Sequence, residues 1–424
     1  MHLTAFVKGS LYLITRGSKA YWAWLFSLCF LIFAGFIAYY YQLKEGFIVT
    51  SMRDQVSWGF YIGNFTFLVG VAAAAIMLVI PAYIYNWKPI KEIVILGELL
   101  AISAIVMCIL FVTVDIGRPE RVWHMAPIFG KLNFPSSLLA WDIFVLNLYL
   151  ILNFAIATYM LVNWFHKKEP NMAIAIPLIL VSIPSAVAIH TVTAFLFNGI
   201  AARPFWNASI LAPRFLASAF CSGPAIMLIL LQILRKTTRL EIKDEALWKI
   251  AELMAYAMFI NIFLSGAELF KEFYSDTEHI IYSKYLYFGI GEHKAIVIYG
   301  WLALLFNISS FLIFLVPSTR KNPVTLNLGA FLIYGGVYIE KGIGLIIPGF
   351  TPDTLGEIYQ YTPSAIEILV AMGVFSAGFL VYTLMLKIAV PIMLGEFDYE
   401  TFSKKKNIKP LEITPAEPES SPAK

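Results

Sequence analysis

The sequence predicts an all-α polytopic membrane protein of about ten transmembrane helices, and three observations carry that reading. Hydrophobic residues make up 59% of the 424, charged residues only 14%, and the mean hydropathy is +0.75. A soluble domain of this size carries far more charge. Ten apolar runs reach the roughly 20 residues needed to cross a hydrocarbon core. The lysines and arginines between those runs fall unequally on the two sides, as they do in membrane proteins of fixed orientation.

In chain order the runs cover 20–42, 56–85, 91–114, 136–164, 173–197, 211–235, 248–270, 293–317, 325–347 and 363–392. The first follows Lys8, Arg16 and Lys19; it is too long for a signal-peptide core and has no small-residue cleavage site, so it is expected to stay as a span. One side of the array holds 17 basic residues, from Lys8 through the connections at 88–91, 167–168, 235–243 and 320–321 to the tail lysines. The other side holds ten. The richer side is therefore expected to be cytoplasmic, with both termini there and the chain in the cytoplasmic membrane. The inner connections are short and basic. The outer ones are longer and crowded with aromatic residues, which makes the outer face the expected working face.

An internal repeat organises the spans. Ala75-Ile76-Met77-Leu78 recurs as Ala225-Ile226-Met227-Leu228, Glu98-Leu99-Leu100-Ala101 as Glu252-Leu253-Met254-Ala255, and Trp141 with Asn147 as Trp301 with Asn307. The order is kept and both halves enter from one side, as in two parallel four-helix units. The expected divisions are an N-terminal segment with the first span (1–55), a first bundle (56–200), a second bundle (201–347), an outer loop with the last span (348–396), and a disordered cytoplasmic tail (397–424) rich in Pro, Glu and Ser.

The densest polar stretch between spans runs from Phe111 to Asp142 and contains Asp115, Arg118, Arg121, Trp123, His124, Trp141 and Asp142. Gly117 and Pro119 stop a helix, so part of it reads as a solvated loop. Asp142 does not, because it lies inside the next apolar run, where a carboxylate costs on the order of 2.5–3.5 kcal/mol. Asp142 should lie about two turns, or ~10 Å, below the outer surface, with His190 at a comparable depth. Neighbouring antiparallel helices would then gather Asp115, Arg118, Asp142 and His190 into one pocket, with Tyr61, Asn64 and Trp141 at its edge. A histidine beside a carboxylate suits a quinone, which must be hydrogen-bonded at its carbonyls and must exchange protons with electrons. Structural alternatives stand beside these roles: His190 bonded to Thr191 or Thr193 as a packing residue, and Asp142 fixed in an ion pair with Arg118.

Of six histidines only His190 lies well within a span, so a bis-histidine haem is not expected. Cys29, Cys108 and Cys221 stand alone in apolar runs, which offers no iron–sulfur or zinc ligand set and no metal site. No nucleic-acid partner is expected. The second bundle has its own polar set in Glu268, Glu292, His293 and Glu340-Lys341, with Lys341 expected to pair with a neighbouring carboxylate. Glu98 and Glu252, at matching places in the inner third, read either as starts of proton paths, continued through Glu268 and Glu340, or as structural hydrogen-bonding groups.

Several motifs carry a resemblance. G-R-P at 117–119, A-W-D at 140–142, I-H-T-V-T-A-F at 189–195, R-P-F-W at 203–206, A-P-R-F at 212–215 and I-E-K-G-I-G-L-I-I-P-G-F at 339–350 resemble the NrfD/polysulfide-reductase family of membrane subunits, across essentially all ten spans. K-E-F-Y-S and G-E-I-Y-Q-Y-T-P look most like the DsrP-type member of sulfite-reduction-associated (DsrMKJOP-like) complexes. The resemblance implies a metal-free subunit that exchanges electrons between menaquinone and a ferredoxin-like iron–sulfur protein on the outer face. Further partners would be a cytochrome c and membrane or cytoplasmic redox subunits. The alternatives are a secondary transporter, which a parallel repeat with buried acids also permits, and the quinone-reactive anchor of a molybdenum enzyme of the same family.

Overall fold

The computed structural model describes residues 2–125, 130–275 and 279–407. Its helices are α1 (His2–Ile14), α2 (Lys19–Glu45), α3 (Phe60–Ala72), α4 (Ala74–Val79), α5 (Lys88–Lys91), α6 (Val94–Asp115), α7 (Leu138–Phe165), α8 (Met172–Asn198) and α9 (Leu211–Thr237). The second half adds α10 (Asp244–Ser275), α11 (Ile280–Tyr287), α12 (Val297–Leu315), α13 (Pro317–Lys321), α14 (Pro323–Lys341), α15 (Ile343–Phe350), α16 (Ala365–Met393) and α17 (Tyr399–Asn407). Among the described residues the one extended pairing is an isolated bridge between Ile290 and His293. Among the described residues ten helical stretches are long and apolar enough to cross a membrane, each within a few residues of a predicted run. The chain is a multi-pass helical membrane protein.

Burial sorts the helices. α3 is apolar all round, and every residue from Tyr61 to Ala72 is buried, as expected for a helix with no polar face. It lies at the centre, packed on α6 and α9, and α6 is nearly as enclosed. α7 and α8 pair with each other and complete one group with α3 and α6; α9, α10, α12 and α14 pack as another. α2 and α16 run together along the outside of α6. A Cβ on Gly35 would come within 2.6 Å of the Gly373 Cα, so these two glycines let the backbones of α2 and α16 approach closely.

Two spans are interrupted. The second passes from α3 through α4 into a π-helical turn at Ile80–Ile84. Pro81 has no N–H to give, and the turn is closed instead by longer bonds such as Tyr85 N–H to the Ile80 carbonyl, 3.3 Å. The ninth breaks between α14 and α15 at Gly342, which lies against Gly63 of α3. α8 runs unbroken through Pro177 and Pro184. The interruptions fall in the first helix of one group and the last of the other, so they do not occupy matching places.

At the end where α3 and α16 begin, Ser364 and Glu367 form a capping box. Glu367 is fully buried and also accepts the Ser51 N–H at 2.8 Å and the Tyr361 hydroxyl. At the opposite end the structure corrects the expected tail. Residues 399–407 form α17, secured by Thr401 N–H to the Asp398 carboxylate (2.8 Å) and by Lys167 to Asp398 (3.2 Å) and Glu400 (3.0 Å). Phe397 packs among Tyr12, Phe165 and Phe402. Aromatic anchoring outweighs the polar composition there. The remainder of the predicted tail, 408–424, lies outside the described residues.

Candidate functional site

α7 and α8 bring part of the predicted first-bundle set together. Asp142 and Thr193 are both buried, and the threonine hydroxyl donates to the carboxylate at 2.8 Å. His190, one turn before Thr193, is fully buried; its Nδ1 lies 2.7 Å from the Ala186 carbonyl. A carbonyl accepts only, so Nδ1 carries the hydrogen and Nε2 presents a lone pair, which no group among the described residues meets. The alternative bonding to Thr191 or Thr193 is not what occurs: Thr191 donates to the Val187 carbonyl at 2.9 Å.

Arg118 does not join this group. It lies exposed on the loop and pairs with Glu120 at 3.4 Å, so neither the expected shared pocket nor the alternative Asp142–Arg118 pair forms. Solvation of the guanidinium outside the helices outweighs a buried pairing. Asp115 ends α6 with one carboxylate oxygen buried and unpartnered among the described residues. Trp141 donates from its indole to the Pro135 carbonyl at 2.8 Å and packs on Phe134, as Trp301 donates to the Tyr287 carbonyl at 2.8 Å in the second group. Tyr61 donates to Gln42 of α2 at 2.7 Å, and Gln42 donates to the Val114 carbonyl at 2.8 Å.

Asn64 is where space opens. A cavity of about 180 Å³ lies between the start of α3, the start of α12, the α14–α15 break and the loop before α16. Gly59, Gly63 and Gly342 leave room in its wall, Phe60 and Tyr299 supply aromatic faces, and Asn64, Tyr338, Tyr361 and Thr362 supply polar groups. Tyr338 donates to the Asn64 amide oxygen at 2.7 Å, while the Asn64 amide nitrogen donates to the Phe60 carbonyl at 2.9 Å. Tyr361 accepts the Phe60 N–H at 2.7 Å and donates to Glu367. Burial, and then the nearby Glu367 carboxylate, hold the Tyr361 phenol far above its ordinary value, so it keeps its proton. A void of about 150 Å³ takes a benzene ring, so this one holds a ring-sized group with polar atoms at its edge. His190 and Asp142 do not line it.

The second group holds a network that was only partly legible. Arg214 of α9 bridges Glu268 of α10 and Glu340 of α14, the latter at 2.9 Å. Glu340 further accepts from Asn261 (3.1 Å), Ser265 (3.1 Å) and Asn307 (2.8 Å). A small void of about 60 Å³ opens beside Arg214, Glu268 and Glu272. Lys341 is buried but meets no carboxylate among the described residues: its ammonium donates to the Phe215 carbonyl at 3.0 Å and lies 4.5 Å over the Phe215 ring.

Glu98 and Glu252 are not equivalent. Glu98, on the enclosed α6, is buried with both carboxylate oxygens unpartnered among the described residues. Glu252, on the peripheral α10, pairs with Lys249 (3.5 Å) and Arg320 (3.7 Å) and accepts from Tyr256 (2.9 Å). The helix's position decides the difference, and the matching tetrapeptides conceal it.

Sequence reading missed Tyr338, Tyr361 and Glu367, and placed Arg214 among the outer basic residues. The Ser364-x-x-Glu367 spacing is a capping-box signal that could have located the loop.

A family model described as polysulphide reductase, NrfD, matches residues 48–352. A selenate reductase subunit of Mesobacillus selenatarsenatis is 23% identical, over 90% of this chain and 94% of its own length. The Hdr-like menaquinol oxidoreductase integral membrane subunit of Archaeoglobus fulgidus is 21% identical, over 88% and 94%. A Halobacterium salinarum protein provisionally named as a dimethyl sulfoxide reductase membrane subunit is 26% identical, over 84% and 88%.

Proposed function

Because the chain belongs to the NrfD, polysulphide reductase, family, we propose that it is the quinone-reactive membrane subunit of a redox complex. In this reading it exchanges electrons between menaquinone and a ferredoxin-like iron–sulfur protein on its outer face. The observation that carries it is the ring-sized cavity at Asn64, with neutral hydrogen-bonding groups and aromatic walls near the end of the span. Menaquinone is favoured by the relative named as a menaquinol oxidoreductase subunit. The K-E-F-Y-S and G-E-I-Y-Q-Y-T-P segments favour a DsrP-type subunit linked to sulfur metabolism, with a cytochrome c among the further partners.

A quinol supplies an electron pair and two protons as it is oxidised to the quinone, and the chain's residues would bind it and handle those protons. The second amide N–H of Asn64, whose oxygen is held by the Tyr338 hydroxyl, orients the ring through a carbonyl oxygen; Tyr361, fixed by Phe60 and Glu367, closes the outer side. Asp142 with Thr193, and the open Nε2 of His190, are buried on α7 and α8 and would serve as proton-handling groups in this reading. Asp115, Arg118, Trp141 and the loop 115–135 belong to the docking side of this reading, apart from residues 126–129, which lie outside the described residues.

A second reading, the membrane anchor of a terminal reductase, is favoured by the relatives named for selenate and dimethyl sulfoxide reductases. A secondary transporter is disfavoured, because the helix interruptions do not match between the two groups. The test is to purify the assembly through a tag on this chain, identify the co-purified subunits, and measure menaquinol oxidation. An iron–sulfur partner, with menaquinol turnover that Asn64→Leu lowers, is expected. A chain that purifies alone and turns over no quinol would overturn the proposal.

A further inference from the structure

Next to the ring-sized cavity lies a larger apolar groove. It occupies about 600 Å³ and is lined from α2, α3, α6, α9, α14 and α16. Along α16 it extends from Met372 to Tyr382, about 15 Å at the helical rise. Its rim residues Phe331, Phe379 and Met372 are exposed, so it opens toward the surface that lipid covers.

The groove and the cavity are stacked along two helices. On α3, Asn64 lines the cavity and Phe67, one turn deeper, lines the groove; on α14, Tyr338 and Tyr334 divide in the same way. The Phe67 ring stands edge-on to both tyrosines, at 5.1 Å from Tyr338 and 5.3 Å from Tyr334, so this small aromatic layer is what lies between the two spaces.

We propose that this groove holds the isoprenoid tail of the quinone whose ring occupies the Asn64 cavity, the Phe67, Tyr334 and Tyr338 rings turning aside to pass the chain. The inference rests on the function proposed above and adds a second subsite to it. The two spaces in sequence, one polar-edged and ring-sized, the other long and apolar, match one molecule with a polar ring and a polyprenyl chain. The groove begins seven residues into α16, or about 10 Å below its end. A phospholipid headgroup held at the interface would therefore leave the groove's deeper half to its chain ends alone. Phe67, Phe331 and Phe379 offer π faces to the double bonds of a prenyl chain. Because the tail would otherwise lie in lipid, packing against the groove walls rather than escape from water would hold it, and the ring contacts at Asn64 and Tyr338 would set orientation.

The test fills the groove without touching the cavity. Met372→Trp, at the exposed rim, and Ile229→Phe, on the α9 wall, are introduced separately into the whole complex. Kinetics are then measured with long-chain menaquinol and with tail-less menadiol. The expected result is a KM for menaquinol raised severalfold by the lost packing room for the chain, with kcat kept and menadiol kinetics unchanged. Unchanged menaquinol KM in both variants would overturn the tail site. So would retention of phospholipid that only the variants lose, seen by native mass spectrometry alongside unchanged menaquinol KM. Equal loss of both substrates in both variants would overturn the division into ring and tail subsites. A wild-type complex that oxidises neither quinol would instead sink the quinone function itself, and that outcome is visible before any variant is made.

Discussion

At the scale of single residues, Asn64 and Tyr338 test the ring site most directly. Tyr338→Phe removes one neutral hydrogen bond, worth about 1 kcal/mol, and should lower kcat/KM for quinol roughly fivefold. Asn64→Leu removes both of the amide's bonds and should cost more. Normal steady-state kinetics in both variants would place the ring elsewhere. His190→Ala and Asp142→Asn are expected to assemble normally and to abolish quinone-linked electron transfer; full turnover in both would leave them as packing groups. Arg214 is a different case. Arg214→Ala leaves Glu268 and Glu340 facing each other without their shared cation. These side chains are 16–20% exposed, so breaking the bridge costs less than the about 3–5 kcal/mol of a fully buried pair; the solubilised protein should still unfold at a lower temperature, and an unshifted transition would refute the bridge. The sequence made the buried carboxylates and His190 legible because charge inside an apolar run is conspicuous. It concealed Tyr338 and Tyr361, because a tyrosine near a membrane interface looks like any other belt aromatic.

At the scale of elements, the spans were legible because the apolar run and the helix have the same length requirement. Their interruptions were not. The break at Gly342 and the π-turn after Val79 depend on what packs beside them: Gly63 in one case, and a carbonyl ladder rearranged by Pro81 in the other. The close crossing of α2 and α16 was also invisible: Gly373 and Ala377 have small-residue spacing, but Gly35 has no small residue four positions away to mark it as the partner. Gly35→Leu is expected to push α2 off α16, seen as new protease sensitivity between α1 and α2 while the remaining bundle stays folded; unaltered digestion would show the crossing to be adaptable. α17 gives a pH prediction. Burial acts to raise the Asp398 carboxyl, but the Thr401 amide and the Lys167 ammonium more than offset it and leave it below its ordinary value. A carboxyl with a lowered folded value stabilises fully above its unfolded value, and the stabilisation is lost as pH falls through the folded one. α17 should therefore detach only in acid, and Asp398→Asn should loosen it at neutral pH. Hydrogen exchange across 399–407 that is insensitive to both would contradict the anchoring.

At the scale of the whole molecule, the question is whether redox chemistry near one face moves charge across the membrane. α3, α6, α7 and α8 pack as one group and α9, α10, α12 and α14 as another, and the sequence repeat implied that Glu98 and Glu252 were alike. The structure separates them: Glu252 is held among Lys249, Arg320 and Tyr256, while Glu98 is enclosed on α6 with no partner for either oxygen among the described residues. A group that relays protons must be able to exchange one, and strong fixed ion pairs oppose that exchange. Glu98 is therefore the acid to test, in the same half of the molecule as Asp142 and His190. A proton that reaches the ring site from the far side through Glu98 adds its charge movement to the electron's, at about 2.3 kcal/mol per charge per 100 mV. In proteoliposomes holding the complete complex and a quinone pool, Glu98→Gln should lower the protons moved per electron while electron flow continues under uncoupled conditions. Glu252→Gln should leave the ratio unchanged, because its ion pairs lie at the protein surface. An unaltered ratio in Glu98→Gln, at unaltered electron flow, would make Glu98 a scaffold group. A loss seen equally in Glu252→Gln would move the route to the second bundle, where Glu340 and Glu268 would become the groups to follow.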